Sequence, residues 1–243
     1  MKDNIKFLLQ KTLGYERYLF VFALFTIRRL RSGKHEREFA HFLDLVPDEG
    51  AILDIGANVG VMTTLLAMKR RKATVFAFEP VPENMRALKR VIARHGLKNV
   101  QVFETALGNE NGHIEIVRPV VNRIKMQGLS HVVSENDNSE WNRGEKFSVT
   151  IRRLDDMDVL REVPEINAIK LDVENFEYYV LLGARELILK HKPVIYCELW
   201  ANGMRARCIG LLAELGYIAW VQDGEKLQHF NGQDVTNFIF IPS

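Results

Sequence analysis

The stretch that most constrains this 243-residue chain is Asp54-Ile55-Gly56-Ala57-Asn58-Val59-Gly60. It follows an apolar run, Ala51-Ile52-Leu53, and precedes the helical spacing of Val61, Thr64, Leu65 and Met68. That is a strand, a tight glycine turn and the start of a helix. A carboxylate closes the strand, and two glycines let the backbone approach a ligand closely. The layout suits a nucleotide-type cofactor at the carboxyl end of a first parallel strand.

From Ala51 onward strands and helices alternate. Thr74–Phe78 reads as a second strand ending at Glu79, and Pro82 opens a helix that stops at His95-Gly96. Val100–Phe103, His113–Val117, Phe147–Ile151, Ala168–Val173 and Val194–Glu198 read as further strands. Helices are expected over 178–189 and 205–215, and Tyr217–Val221 and Asn237–Ile241 finish the chain, with Asp223-Gly224 as hairpin chemistry between them. The expected fold is α/β: a doubly wound, mostly parallel sheet with helices on both faces. Residues 46–243 would form this Rossmann-like domain and residues 1–45 an N-terminal helical extension. The polar stretch 122–145 is long for a compact domain, and such loops often serve function.

The first 35 residues differ from the rest. Tyr18–Ile27 is nearly all apolar and is closed by Arg28, Arg29, Arg31 and Lys34. The run is about half the roughly 20 residues that a spanning helix needs, and no small-residue cleavage site follows it. Two readings stay open: helices packed on the domain or in a homodimer interface, or a peripheral membrane contact through residues 1–34 with a basic collar. The net charge of +2 gives no whole-chain argument for nucleic acid, and no partner of that kind is expected. Cys197 and Cys208 lie in different elements without metal spacing, which fits a reducing, cytoplasmic setting, membrane-associated on the second reading.

Two cofactors compete for the glycine turn. A dinucleotide calls for G-x-G-x-x-G, but the central glycine is Asn58 here, although Asn also tolerates left-handed backbone. Asp54 is poorly placed for an anionic pyrophosphate. It suits S-adenosylmethionine, which carries a sulfonium and an ammonium and no phosphate. Glu79, 25 positions on at the next strand end, can accept both hydroxyls of a ribose. Asp54, Gly56, Asn58, Gly60 and Glu79 are therefore expected to hold S-adenosylmethionine.

The residues now carry a resemblance. The chain resembles class I S-adenosylmethionine-dependent methyltransferases, and within them the FkbM family. The matching pieces are DIGANVG (54–60), FEPVPEN (78–84), ALG (106–108), GLSH (128–131), RLDDM (153–157), IKLDVENFE (169–177), LLGA (181–184), KPVIYCEL (192–199) and NFIFIP (237–242). They run in family order over roughly residues 50–242, leaving the first 35 residues outside. The resemblance implies a seven-stranded sheet with its last strand antiparallel, and an adenine ring resting on Ala106 and Leu107. It also implies O-methyl transfer to hydroxyls of sugars, polyketides and related metabolites. One departure is Asn175, where the family usually has glycine; Asn can adopt the same left-handed turn.

For a hydroxyl acceptor the protein must supply alignment and a base. Asp172 is the first candidate at the active centre, either as base or as a cofactor contact, and Glu174 the second. His131, beside Ser130 in the polar loop, has a suitable unperturbed pKa. Asp155 and Asp156 are expected to cap the helix that follows them. A divalent ion held by Asp172, Glu198 and a substrate diol has little support, since octahedral sites need several oxygens, and no metal is expected. The leading reading is an O-methyltransferase acting on a sugar, glycan or glycolipid. A polyketide-type small-molecule methyltransferase and a non-catalytic cofactor-binding scaffold stay open as alternatives. Base methylation of nucleic acid lacks the N/D-P-P-Y/F/W motif that would hold a flipped amine.

Overall fold

The chain opens with two helices, α1 (Lys2–Leu13) and α2 (Tyr15–Arg31), joined at Gly14 with φ +73°. The computed structural model describes residues 2–31, 37–126, 128–133 and 142–243. Expectations that fall on Lys34, and on residues 127 and 134–141 of the polar stretch, lie outside the described residues. The inner face of α2 buries Tyr18, Leu19, Ala23 and Ile27 against Val59, Ala87 and Val91 of the main domain. The packed reading of this segment therefore holds for one face of α2. Among the described residues no helix is long and apolar enough to cross a membrane.

The remaining elements in chain order are α3 (Arg37–Leu45), β1 (Ala51–Ile55), α4 (Val61–Lys69), β2 (Thr74–Phe78), α5 (Pro82–His95), β3 (Val100–Phe103), β4 (Ala106–Leu107), β5 (Gly112–Val121), β6 (Ile124–Lys125), β7 (His131–Val132) and β8 (Gly144–Arg152). Then follow α6 (Asp158–Arg161), β9 (Ile166–Leu171), α7 (Glu177–Leu182), α8 (Arg185–His191), β10 (Val194–Glu198), α9 (Gly203–Glu214), β11 (Tyr217–Asp223), β12 (Lys226–His229) and β13 (Asn237–Pro242). The main sheet has the order β12-β11-β13-β10-β9-β1-β2-β3. β3, β2, β1, β9 and β10 run parallel, and β13 enters antiparallel between β10 and β11.

Every residue of β1 is buried, as a central strand covered on both faces requires. Its side chains alternate between layers. Leu53 and Ile55 pack with α7, α8 and α9, whereas Ile52 packs with Phe39 and Phe42 of α3 and with Leu66 of α4. The chain winds outward from β1 through β2 and β3, then returns to the other side of β1 as β9. The carboxyl ends of β1 and β9 therefore flank a topological switch point, where such sheets bind ligands.

Three features depart from the sequence expectation. The sheet has an eighth strand, because Asp223-Gly224 joins β11 to β12 rather than to β13. The helix expected over 178–189 is broken into α7 and α8 at Gly183, where a Cβ would lie 1.9 Å from the Gly108 carbonyl oxygen. Asp155 caps α8 rather than the helix that follows it: its carboxylate accepts from the N–H groups of Glu186 and Leu187 at 3.2 and 2.9 Å.

A second sheet, β4-β8-β5-β6 with β7 on β5, was not anticipated; it is built on the long β5–β8 antiparallel pairing. Arg118 of β5 ties this sheet to the N-terminal helices. Its fully buried guanidinium pairs with Glu83 of α5 at 3.2 Å and with Glu145 of β8, and lies between the rings of Tyr15 and Phe147.

Candidate active site

The glycine turn after β1 forms because two positions take left-handed backbone. Gly56 has φ +76° and Asn58 φ +50°. At Gly56 a Cβ would sit 1.8 Å from the Asp172 carbonyl oxygen, so the end of β9 can approach only a glycine. Glu79, at the end of β2, holds the other side of the turn. Its Oε2 accepts from the Asn58 N–H at 2.8 Å, and its Oε1 accepts from the Val81 N–H at 2.9 Å and the Asn84 side chain at 3.2 Å. Burial pushes the Glu79 carboxyl up to about 7, partly offset by these donors.

One cleft at the switch point collects most of the expected residues. Gly56, Asn58, Glu79, Ala106, Leu107, His131, Asp172 and Glu174 all line it. Asp54 and Gly60 do not. Asp54 is fully buried beneath the turn, where its Oδ2 accepts from the Thr63 hydroxyl at 2.5 Å. Gly60 stands at the N-terminus of α4 with φ +84°, packed against Leu88. Both shape the turn from behind the cleft wall.

Two residues that sequence reasoning passed over organise the ends of β1 and β9 beside the cleft. Lys170 lies opposite Asp54 in the β1–β9 register. Its buried ammonium stands 3.5 Å from Asp54 Oδ1 and 3.6 Å from Asp172 Oδ2, and donates to the Gly56 carbonyl at 2.9 Å. Burial alone would lower its pKa, but Asp172 and Asp54 more than offset that, and the net shift is upward. The signal was there: one lysine within the apolar strand Ala168-Ile169-Lys170-Leu171.

Glu177 is the second. Its buried carboxylate accepts from the N–H groups of Val173 at 3.0 Å and Asn175 at 3.3 Å, which fixes the loop between them. Within that loop Glu174 has φ +53° and Asn175 φ +72°. Asn175 thus takes the left-handed turn in place of glycine, and Asn202 donates to its side-chain oxygen at 2.6 Å. Such backbone is held only where the surroundings over-determine it. It presents Glu174 to the cleft. Burial, then the charges of Asp172, Glu198 and Glu177, push the Glu174 carboxyl up to about 8.

His131, on β7, has both ring nitrogens engaged. Nδ1 lies 2.9 Å from the Leu129 carbonyl oxygen and Nε2 2.9 Å from Asn142 Oδ1. Among the described residues no three His, Cys, Asp or Glu side chains are grouped to hold a metal ion.

Two predictions follow from this charge arrangement. Lys170→Met leaves the Asp54 carboxylate buried without its cation. The expected loss is about 3 kcal/mol, a thermal midpoint about 10 °C lower; a melt within 2 °C or so of wild type would show the pair to be dispensable. The second concerns pH. Glu79, Glu174 and Glu177 are all raised by burial, to about 7, 8 and 7. Between the usual carboxyl pKa and those values the folded chain binds more protons than the unfolded one, so stability falls as pH rises from about 4.5 to 8. Urea unfolding at mildly acid, neutral and mildly alkaline pH should show this decline; a rise over that window would overturn it.

The cleft suits S-adenosylmethionine on internal evidence. Asn58 Oδ1, Asn84 Oδ1 and Ser130 Oγ are buried and have no hydrogen-bond partner among the described residues, and all three residues line the cleft. Acceptor oxygens there match a ligand with ribose hydroxyls and an ammonium. Ala106 and Leu107 offer apolar surface beside them. The sheet order and the glycine turn at its switch point define a class I methyltransferase fold that uses S-adenosylmethionine.

Comparison with known proteins narrows the class. The Methyltransferase FkbM domain model matches residues 54–218. The chain therefore belongs to the FkbM family and is a methyltransferase. Methyltransferase 1 of Beauveria bassiana is 27% identical over 65% of this chain and 72% of its own length. The 2-O-methyltransferase NoeI of Sinorhizobium fredii is 33% identical over 60% of this chain and 62% of its own, so the chain spans less than two thirds of that relative. The solved structure of methyltransferase FkbM from Methylobacillus flagellatus superposes with a TM-score of 0.52 at 19% identity. It covers 80% of this chain and 44% of that one, and so supports the fold.

Proposed function

We propose that the protein transfers a methyl group from S-adenosylmethionine to a hydroxyl oxygen of a sugar, glycan or glycolipid. Glu174 serves as the base. The observation that carries this reading is the Glu174 carboxyl in the cleft, held there by a strained loop and raised to about 8. A base near the working pH combines a useful deprotonated fraction with a real driving force for taking a proton.

S-adenosylmethionine bound here would supply an electrophilic methyl group, with the neutral thioether S-adenosylhomocysteine as the leaving group. The protein's own residues do the rest. Glu79 and Asn84 hold the ribose side, Asn58 and Asp172 the methionine side, and Ala106 and Leu107 the base. The acceptor hydroxyl enters between Ser130 and Glu174. As its oxygen bonds to the methyl carbon, its proton passes to a Glu174 carboxylate oxygen. Lys170, 3.6 Å from Asp172, holds that carboxylate in place without touching either reactant.

A 2-O-methyltransferase among the relatives supports oxygen as the acceptor atom. The test is an acceptor screen with detection of S-adenosylhomocysteine, starting with glycans and lipid-linked sugars, followed by location of the new methyl group. Methyl found on nitrogen or carbon, with hydroxyl acceptors inert, would overturn the reading.

A further inference from the structure

The outer surface of the α1–α2 hairpin carries apolar side chains that the domain leaves uncovered. Ile5, Leu8 and Leu9 are exposed along one face of α1, at the i, i+3, i+4 spacing. Val21 and Phe25 are exposed one turn apart on α2, and Phe25 is 64% exposed. Among the described residues nine large hydrophobic side chains are exposed, and five of them lie on these two helices. Core packing does not account for them, because α2 already spends its other face on Val59, Ala87 and Val91.

Charge follows the same segment. Residues 5–31 hold six Lys or Arg and one Glu, a net +5, in a chain whose total is +2, so everything else is net −3. Arg17 and Arg28 are exposed at either end of the Val21–Phe25 stripe, and Arg31 is exposed beyond it. Apolar side chains bracketed by long cations are what a helix lying in a lipid interface presents: the apolar part enters the acyl boundary and the cations reach the anionic headgroups.

We infer that the α1–α2 hairpin docks the enzyme flat onto an anionic lipid surface. An anionic bilayer attracts the net +5 hairpin and repels the net −3 remainder, which turns the apolar outer surface of the hairpin toward the lipid; a second copy of the chain is the competing occupant that the experiment below distinguishes. The dock has a defined position relative to the active site. Gln10 of α1 exchanges two hydrogen bonds with the Lys125 backbone of β6, donating to its carbonyl at 3.0 Å and accepting from its N–H at 3.1 Å. Gly128, on the wall of the cleft, follows three residues later. The hairpin therefore sets the acceptor side of the cleft beside the membrane. This holds whichever acceptor atom is methylated.

The experiment is co-sedimentation of the full chain with phosphatidylcholine vesicles, with and without phosphatidylglycerol. The protein should sediment with the anionic vesicles and be released by salt. The Leu8→Glu/Phe25→Glu double variant should bind about tenfold or more weakly, and Arg17→Gln/Arg28→Gln should weaken binding and flatten its salt dependence. Both variants should bind S-adenosylmethionine as wild type does in calorimetry, which shows that they fold. Failure of the wild-type chain to sediment with anionic vesicles, or equal sedimentation by both folded variants, overturns the inference. So does light scattering that finds a wild-type dimer dispersed by Leu8→Glu/Phe25→Glu with vesicle binding unchanged.

Discussion

Gly56→Ala should abolish binding of S-adenosylmethionine. The added Cβ would meet the Asp172 carbonyl oxygen at 1.8 Å and its carbon at 2.9 Å, both backbone atoms of the neighbouring strand. The φ of +76° adds strain that no side-chain movement relieves. Either β9 moves away or the turn opens, and both outcomes displace Asn58 and Asp172 from the cleft. An affinity loss of about 100-fold or more and a destabilisation on the order of 3 kcal/mol are expected. Calorimetry with the cofactor and a thermal melt measure the two effects. Gly60→Ala is the informative contrast: its φ of +84° carries the same kind of backbone strain, but its added Cβ would meet chiefly the Leu88 side-chain tip and no backbone of β9, so the difference between the two variants isolates the clash with Asp172. Wild-type affinity in Gly56→Ala would mean that the turn is not part of the cofactor site.

The second large effect is expected from Glu174→Gln. The amide keeps the side chain's size and removes its capacity to take a proton. Turnover should fall by about 10²–10⁴-fold while cofactor affinity stays within a factor of two or so of wild type. The pH profile distinguishes a base from a merely structural residue. A carboxyl raised to about 8 is mostly protonated at neutral pH, so wild-type turnover should climb as pH rises through 8. That limb should disappear in Glu174→Gln. If it persists there and vanishes in Asp172→Asn, the proton goes to Asp172 instead.

The parts of the site legible in the sequence were those built from adjacent residues. Asp54 to Gly60 announces a turn because glycine, asparagine and a strand-ending acid occupy consecutive positions. Asn175 could be read as left-handed for the same reason. The parts that escaped depend on partners far apart in the chain. Lys170 gains its meaning from Asp54, more than a hundred residues earlier, through strand register. Asp155 caps α8 across two intervening helices and a strand, so its neighbours in sequence pointed to the wrong helix. The second sheet escaped because β5 and β8 pair across a long polar segment, whose composition reads as loop. Asp54 reads as a strand-ending acid, but its burial is a tertiary fact: the sequence places the carboxylate at the strand end without saying which way it faces.

The buried guanidinium of Arg118 bears on how the N-terminal hairpin can be studied. Tyr15 lies over one side of it, and Glu83 and Glu145 pair with it. A chain shortened by thirty residues would open this cation to solvent and strip Val59, Ala87 and Val91 of their apolar cover at the same stroke. Such a fragment would report misfolding and aggregation, whatever the hairpin does at a membrane. Excision is therefore the wrong tool for assigning a role to this segment; single exchanges on its outer surface, which leave the keystone seated, are the right one.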